Sequence, residues 1–137
     1  MSLVLFAATR SGKVRTLASI LSKFGSNAHA YLPGIGSISG LPTENYVEST
    51  LNTLATVDSV VGGVKDATGG IQASNPTTAA KPILRLTGGK YSWSFDGSND
   101  SLLTGNLGLT NNFHICITGM FNSMPAIASL VFAETAG

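Results

Sequence analysis

The chain offers seven carboxylates, two histidines and one cysteine for chemistry. The carboxylates are Glu44, Glu48, Asp58, Asp66, Asp96, Asp100 and Glu134. Glycoside hydrolysis needs a pair of carboxylates that flank the scissile bond. Asp96 and Asp100 are close in sequence but share one turn, so they are not expected to flank a sugar from opposite sides. His114 and Cys116 stand two residues apart in an expected strand, which puts them on the same face. A nucleophile and its base must oppose each other and be oriented by a third group. Side by side, with no orienting carboxylate evident, this pair reads as strand packing. No G-x-S-x-G elbow stands between a strand and a helix. Glycines at 34, 36 and 40 do not have the dinucleotide-loop spacing, and "RSGK" at 10–13 lacks the upstream glycine of a phosphate loop. The expectation is a protein without catalysis and without a cofactor.

The densest group of polar side chains is in "KYSWSFDGSNDSLL", residues 90–103. Asp96, Ser98, Asn99 and Asp100 put four side-chain oxygens in a compact loop. Calcium takes about six to eight oxygens, so Asp96, Asn99 and Asp100 are weak metal candidates, although "DGSND" is not the EF-hand spacing. Asp, Gly, Ser and Asn are also the standard turn formers, because their side chains bond to nearby backbone or tolerate positive φ. A structural turn with no metal is therefore expected. Tyr91, Trp93 and Phe95 alternate with serine. Trp93, with Asp96 and Asn99 beside it, could form a glycan platform. Alternation of period two is equally the pattern of a half-buried strand, and the core reading is preferred.

The surrounding elements must position these residues. "KVRTLASILSKF" at 13–24 carries Val14, Leu17, Ala18, Leu21 and Phe24 at helical spacing. It predicts a helix capped by Ser11 and ended by Gly25. Residues 25–45 are rich in glycine and proline and predict irregular chain. Val57, Val60, Val61 and Val64 suit an edge strand. "DATGG" at 66–70 is a turn. Residues 71–84 contain Pro76 and Pro82, which argue against a central strand, and predict an extended crossing over the surface. "KYSWSF", "FHICITGMF" at 113–121 and "IASLVFAE" at 127–134 are the clearest strands.

Short strands with glycine-rich turns argue for a mainly β protein. The expected fold is an antiparallel β-sandwich of jelly-roll type with an N-terminal arm and one short α-helix. The chain supplies about six strands, and jelly rolls have about eight. The sandwich is therefore small, or completed by a partner, or continued beyond this sequence. The expected division is an anchor over 1–45 and a sandwich segment over 46–137. Anchor contacts would come from Leu3, Leu5, Phe6, Val14, Leu17, Leu21 and Phe24.

Composition narrows the partners. Of 137 residues, 43% are hydrophobic and 11% charged, with a net charge of +1. Soluble domains average roughly 25% charged, and so little charge leaves little repulsion between copies. No basic block points to nucleic acid. No apolar run approaches the roughly 18 residues of a membrane span. The apolar run at 3–8 is short and has no positive residue before it, unlike a signal peptide. The single Cys116 excludes an intrachain disulfide.

Residues 47–105 resemble a segment of tailed-bacteriophage virion proteins. The resemblance is carried by Thr56-Val57-Asp58-Ser59-Val60-Val61-Gly62, by Asp66-Ala67-Thr68-Gly69-Gly70, and by Gln72-Ala73-Ser74 through Lys81-Pro82-Ile83-Leu84. It continues in Phe95-Asp96-Gly97-Ser98-Asn99-Asp100-Ser101-Leu102. The last phrase is similar to the start of concanavalin A-like, laminin-G-like jelly rolls. Ser101 stands where that pattern carries an aromatic. The resemblance implies a virion structural protein of tail-fibre, tail-tip or capsid-surface (decoration) type, without catalysis. Its implied partners are other virion proteins and copies of itself, a trimer being common in such fibres, and a host-surface glycan if it serves recognition. Its implied location is the virion, assembled in the cytoplasm of the bacterial host.

Overall fold

The structure is a computed structural model and describes residues 7–8, 14–24 and 28–108. The predicted strands at 113–121 and 127–134, with His114 and Cys116, lie outside the described residues, as do Leu3, Leu5, Phe6, Ser11 and Gly25.

Strands β1 (Ala7–Ala8) and β2 (Val14–Arg15) pair antiparallel, and helix α1 (Leu17–Leu21) follows. The helix is shorter than its apolar spacing predicts. Thr16, at φ −72° and ψ 156°, is the N-cap, and its hydroxyl accepts from Ser19 N–H. A β-branched threonine holds that extended geometry readily, which leaves Val14 and Arg15 in β2. Leu17, Ala18 and Leu21 are half-buried, Phe24 is exposed, and no helix residue is buried.

Two hairpins pair separately from the four-stranded sheet. In the first, β3 (Gly36–Ile38) pairs with β4 (Leu41–Thr43). In the second, β8 (Ile83–Thr87) pairs with β9 (Lys90–Ser94) through Gly88 and Gly89, at φ 57° and 74°. Two consecutive residues at positive φ make the turn whose twist matches a hairpin, and glycine adopts it without a Cβ penalty.

The central sheet contains β5 (Asn45–Tyr46), β6 (Gly63–Val64), β7 (Ala73–Ser74) and β10 (Leu103–Thr104) in the order β10-β7-β6-β5, all antiparallel. Two expectations are corrected here. The valine-rich stretch does not form an edge, because β6 lies between β5 and β7. Its glycines make that possible: a Cβ on Gly63 would lie 2.8 Å from the Glu48 carbonyl oxygen and 2.5 Å from Leu51 Cδ2. Nor is 71–84 only a surface crossing. Ala73–Ser74 is an interior strand, and Asn75, Ala80 and Pro82 are buried. Pro76 falls just after the pairing ends, so it deprives the ladder of no donor.

Ala55, Val61, Val64, Ala73 and Leu84 form the core, with Tyr31, Val47, Tyr91, Trp93 and Leu102 packed against it. Leu84 faces Trp93 across the second hairpin, and Leu86 faces Tyr91. Phe95 lies beyond the end of β9 and is exposed, so the aromatic stripe predicted as core holds for Tyr91 and Trp93 only. Residues 28–45 are tied to the 46–108 body by Ala67 N–H donating to the Ala30 carbonyl and Lys65 N–H to that of Glu44. Among the described residues the chain is mainly β, with antiparallel sheets and one short α-helix, in keeping with the expected sandwich.

Candidate functional site

The turn after β9 is closed by its own side chains. Asp96 Oδ1 accepts from the backbone N–H groups of Ser98 (2.8 Å), Asn99 (3.1 Å) and Asp100 (3.2 Å). Asp100 Oδ2 accepts from Asp96 N–H at 2.8 Å. Those backbone donors hold the Asp96 carboxyl below its ordinary pKa. One oxygen each of Asp96 and Asp100, two of the side chains that suggested calcium, is thus turned onto the loop's own amides. Among the described residues no group of three or more His, Cys, Asp or Glu side chains could hold a metal ion.

Trp93 is placed differently from the turn. Its ring packs against the core, and its indole N–H donates to Asn45 Oδ1 at 2.7 Å. Asp96 and Asn99 are exposed in the turn beyond the strand. Of the expected anchor contacts, Val14 is in β2, Leu17 and Leu21 are on α1, and Phe24 follows it.

Three polar centres were not singled out from the sequence. Buried Asn45 donates through Nδ2 to the carbonyls of Leu32 and Gly34, each at 3.0 Å, while accepting from Trp93. It therefore joins the irregular 28–35 segment to β9. Buried Asn75 does the same for the chain around Pro76. Its Nδ2 faces the carbonyls of Ala80 (2.7 Å) and Ser101 (3.1 Å), and its Oδ1 accepts from Thr77 N–H.

The third centre is Asp66, whose side chain has no exposed surface. Its Oδ2 lies 2.6 Å from His29 Nδ1. Its Oδ1 accepts from Ala30 N–H and Thr68 N–H, each at 2.9 Å, and faces the Thr68 hydroxyl at 2.7 Å. Burial raises the Asp66 pKa, but the donors of Ala30, Thr68 and His29 outweigh it and hold the carboxyl below the ordinary aspartate value. Because a carboxylate can only accept, His29 Nδ1 carries the proton. Burial, with the Asp66 charge second, pushes the Tyr31 phenol up to about 12. A shallow recess of about 380 Å³ runs beside Asp66, lined by Pro42, Glu44, Lys65, Ala67, Thr68 and Gly69. Glu44 and Lys65 are paired there at 2.6 Å, and Tyr46 donates to the same Glu44 oxygen. The Lys65 hydrogen bond, then that of Tyr46, lowers the Glu44 pKa.

The sequence signal for Asp66 was the Asx-type turn "DATGG". Nothing local paired it with His29, 37 residues earlier. Compared with known protein families, curated proteins and solved structures, the chain matches none.

Proposed function

We propose that this chain is a non-enzymatic structural component of a tailed-bacteriophage virion, tail- or fibre-associated, that assembles with copies of itself and with other virion proteins. The observation that carries the reading is how its carboxylates are used. All six acidic residues at described positions are engaged in structure. Glu44 pairs with Lys65, and Glu48 accepts from Thr53 N–H. Asp58 pairs with Arg85. Asp66 ties two segments together, and Asp96 and Asp100 close one turn. A hydrolase of this class needs two carboxylates left for its substrate. The low charge and the exposed apolar residues Phe24, Leu54 and Leu103 support burial against neighbouring chains. The virion-like phrases at 56–62, 66–70 and 95–102 supply the biological context.

Sedimentation velocity on the purified full chain tests the assembly half of this reading. An oligomer with a defined stoichiometry is expected. A well-behaved monomer at all accessible concentrations would count against it.

A further inference from the structure

Asp66 is the one ionisable residue among the buried polar side chains of the described chain; the others are Thr43, Asn45 and Asn75. It joins two pieces of chain far apart in sequence. Residues 28–30 meet it through His29 Nδ1 and Ala30 N–H, and its own turn meets it through Thr68. Two backbone-directed bonds lie alongside. Ala67 N–H donates to the Ala30 carbonyl, and the Thr68 hydroxyl lies 2.6 Å from the Ala28 carbonyl. Gly70 closes over the contact: a Cβ there would lie 2.5 Å from Asp66 Oδ2 and 2.8 Å from His29 Nδ1.

We propose that the His29–Asp66 contact is an acid-sensitive clasp, which holds residues 28–30 on the β body and releases them when Asp66 is protonated. Wherever a proton is placed on this carboxylate, the donors around it are weakened. On Oδ2 it would oppose the Nδ1–H of His29 across 2.6 Å. On Oδ1 it would oppose the amides of Ala30 and Thr68. The Thr68 hydroxyl can accept it and pass its own hydrogen to the Ala28 carbonyl, but both amide donors then face a neutral oxygen. The titratable and charged groups around Asp66 are His29 and Tyr31 on the docked segment and the adjacent Lys65, which Glu44 pairs across the recess. Of these only His29 can accept the proton, by shifting its own hydrogen from Nδ1 to Nε2; that keeps the Oδ2 contact but leaves the Ala30 and Thr68 amides facing a neutral oxygen.

The sign follows from the lowered carboxyl. A group whose folded pKa is depressed contributes stability above its unfolded pKa, and that contribution is lost as pH falls through the folded value. The clasp is therefore complete at neutral pH. It weakens below about pH 5, where an ordinary aspartate begins to take up protons. The core of Ala55, Val61, Val64, Ala73 and Leu84 has no titratable member, so it outlasts the clasp.

Native-state hydrogen exchange on the full chain tests this, read as protection factors from neutral pH to pH ~3. Ala30 and Thr68 amides should lose several-fold, up to about eightfold, in protection, the most that one ordinary aspartate can release by pH ~3, while Val61 and Leu84 amides, bonded to Pro82 and Ser59 carbonyls, keep theirs. In Asp66→Asn the two amides should be weakly protected at every pH, with no acid step. His29→Gln keeps a donor toward Asp66 and should retain the step. It decides the matter alone if Asp66→Asn does not fold. Loss of the step in His29→Gln would move the titration to histidine and overturn the proposal. So would simultaneous loss at all four amides, or no loss at Ala30 and Thr68.

Discussion

Replacing Asn45 by alanine probes the joint that holds the 28–35 segment, the central sheet and Trp93 together. Asn45 is 2% exposed, and its side chain makes three hydrogen bonds, of 3.0, 3.0 and 2.7 Å. Truncation leaves the Leu32 and Gly34 carbonyls and the Trp93 indole N–H without their partner. A hydrogen bond contributes about 1 kcal/mol net, and a buried group left unsatisfied costs about 1–3 kcal/mol. Two of the three partners are only partly buried and recover some hydration. The expected loss is therefore about 3 kcal/mol, toward the lower end of that sum. With a urea dependence of about 2 kcal/mol/M, the midpoint should fall by about 1.5 M. Trp93 is the only tryptophan, so its fluorescence reports unfolding at this joint. A double-mutant cycle with Trp93→Phe, followed by far-ultraviolet circular dichroism, isolates the indole bond at about 1 kcal/mol of coupling. A total loss below about 1 kcal/mol would refute the reasoning, because the three bonds could not then be both made and shielded.

Other outcomes follow from the same packing. Leu84 is fully buried at the centre of the core; Leu84→Ala should cost about 2–5 kcal/mol in urea unfolding. Gly63→Ala places a methyl against the Glu48 carbonyl and Leu51; a loss of about 1–3 kcal/mol in thermal or urea denaturation is expected, and a neutral result would show that β6 is not packed this closely. The lowered Asp96 pKa means that its turn is complete at neutral pH and loosens as the carboxyl protonates. Amide shifts of Ser98 and Asn99 should follow one acid titration and should not respond to added calcium. Saturable calcium shifts would reverse the structural reading of that loop.

How far the sequence could be read depended on how local each feature was. The β8–β9 hairpin was legible because alternation and a glycine pair are written in consecutive residues. The 96–100 turn was legible for the same reason, since each of its bonds spans four residues or fewer. Strands β6 and β7 were not, because each pairs over two residues, and β6 owes its interior place to glycines that admit a neighbouring backbone. The rule against proline in a central strand still holds, but β7 ends just before Pro76. The helical apolar spacing runs back through Val14, whereas the chain turns helical only after the Thr16 cap. Asn45–Trp93 and His29–Asp66 join residues 48 and 37 positions apart, and no periodicity or turn chemistry announces such a meeting. Period-two alternation is enough to put Trp93 on the core side, but only the fold brings Asn45 to its indole N–H.

The most direct test of the proposed function is cryo-electron microscopy of intact phage particles released from cells that carry this coding sequence. The density should contain this chain in symmetry-related copies on the tail or its fibres, with Phe24, Leu54 and Leu103 covered by neighbouring subunits. Particles that lack the chain, while it persists in the same lysate as a free monomer, would contradict a structural role in the virion.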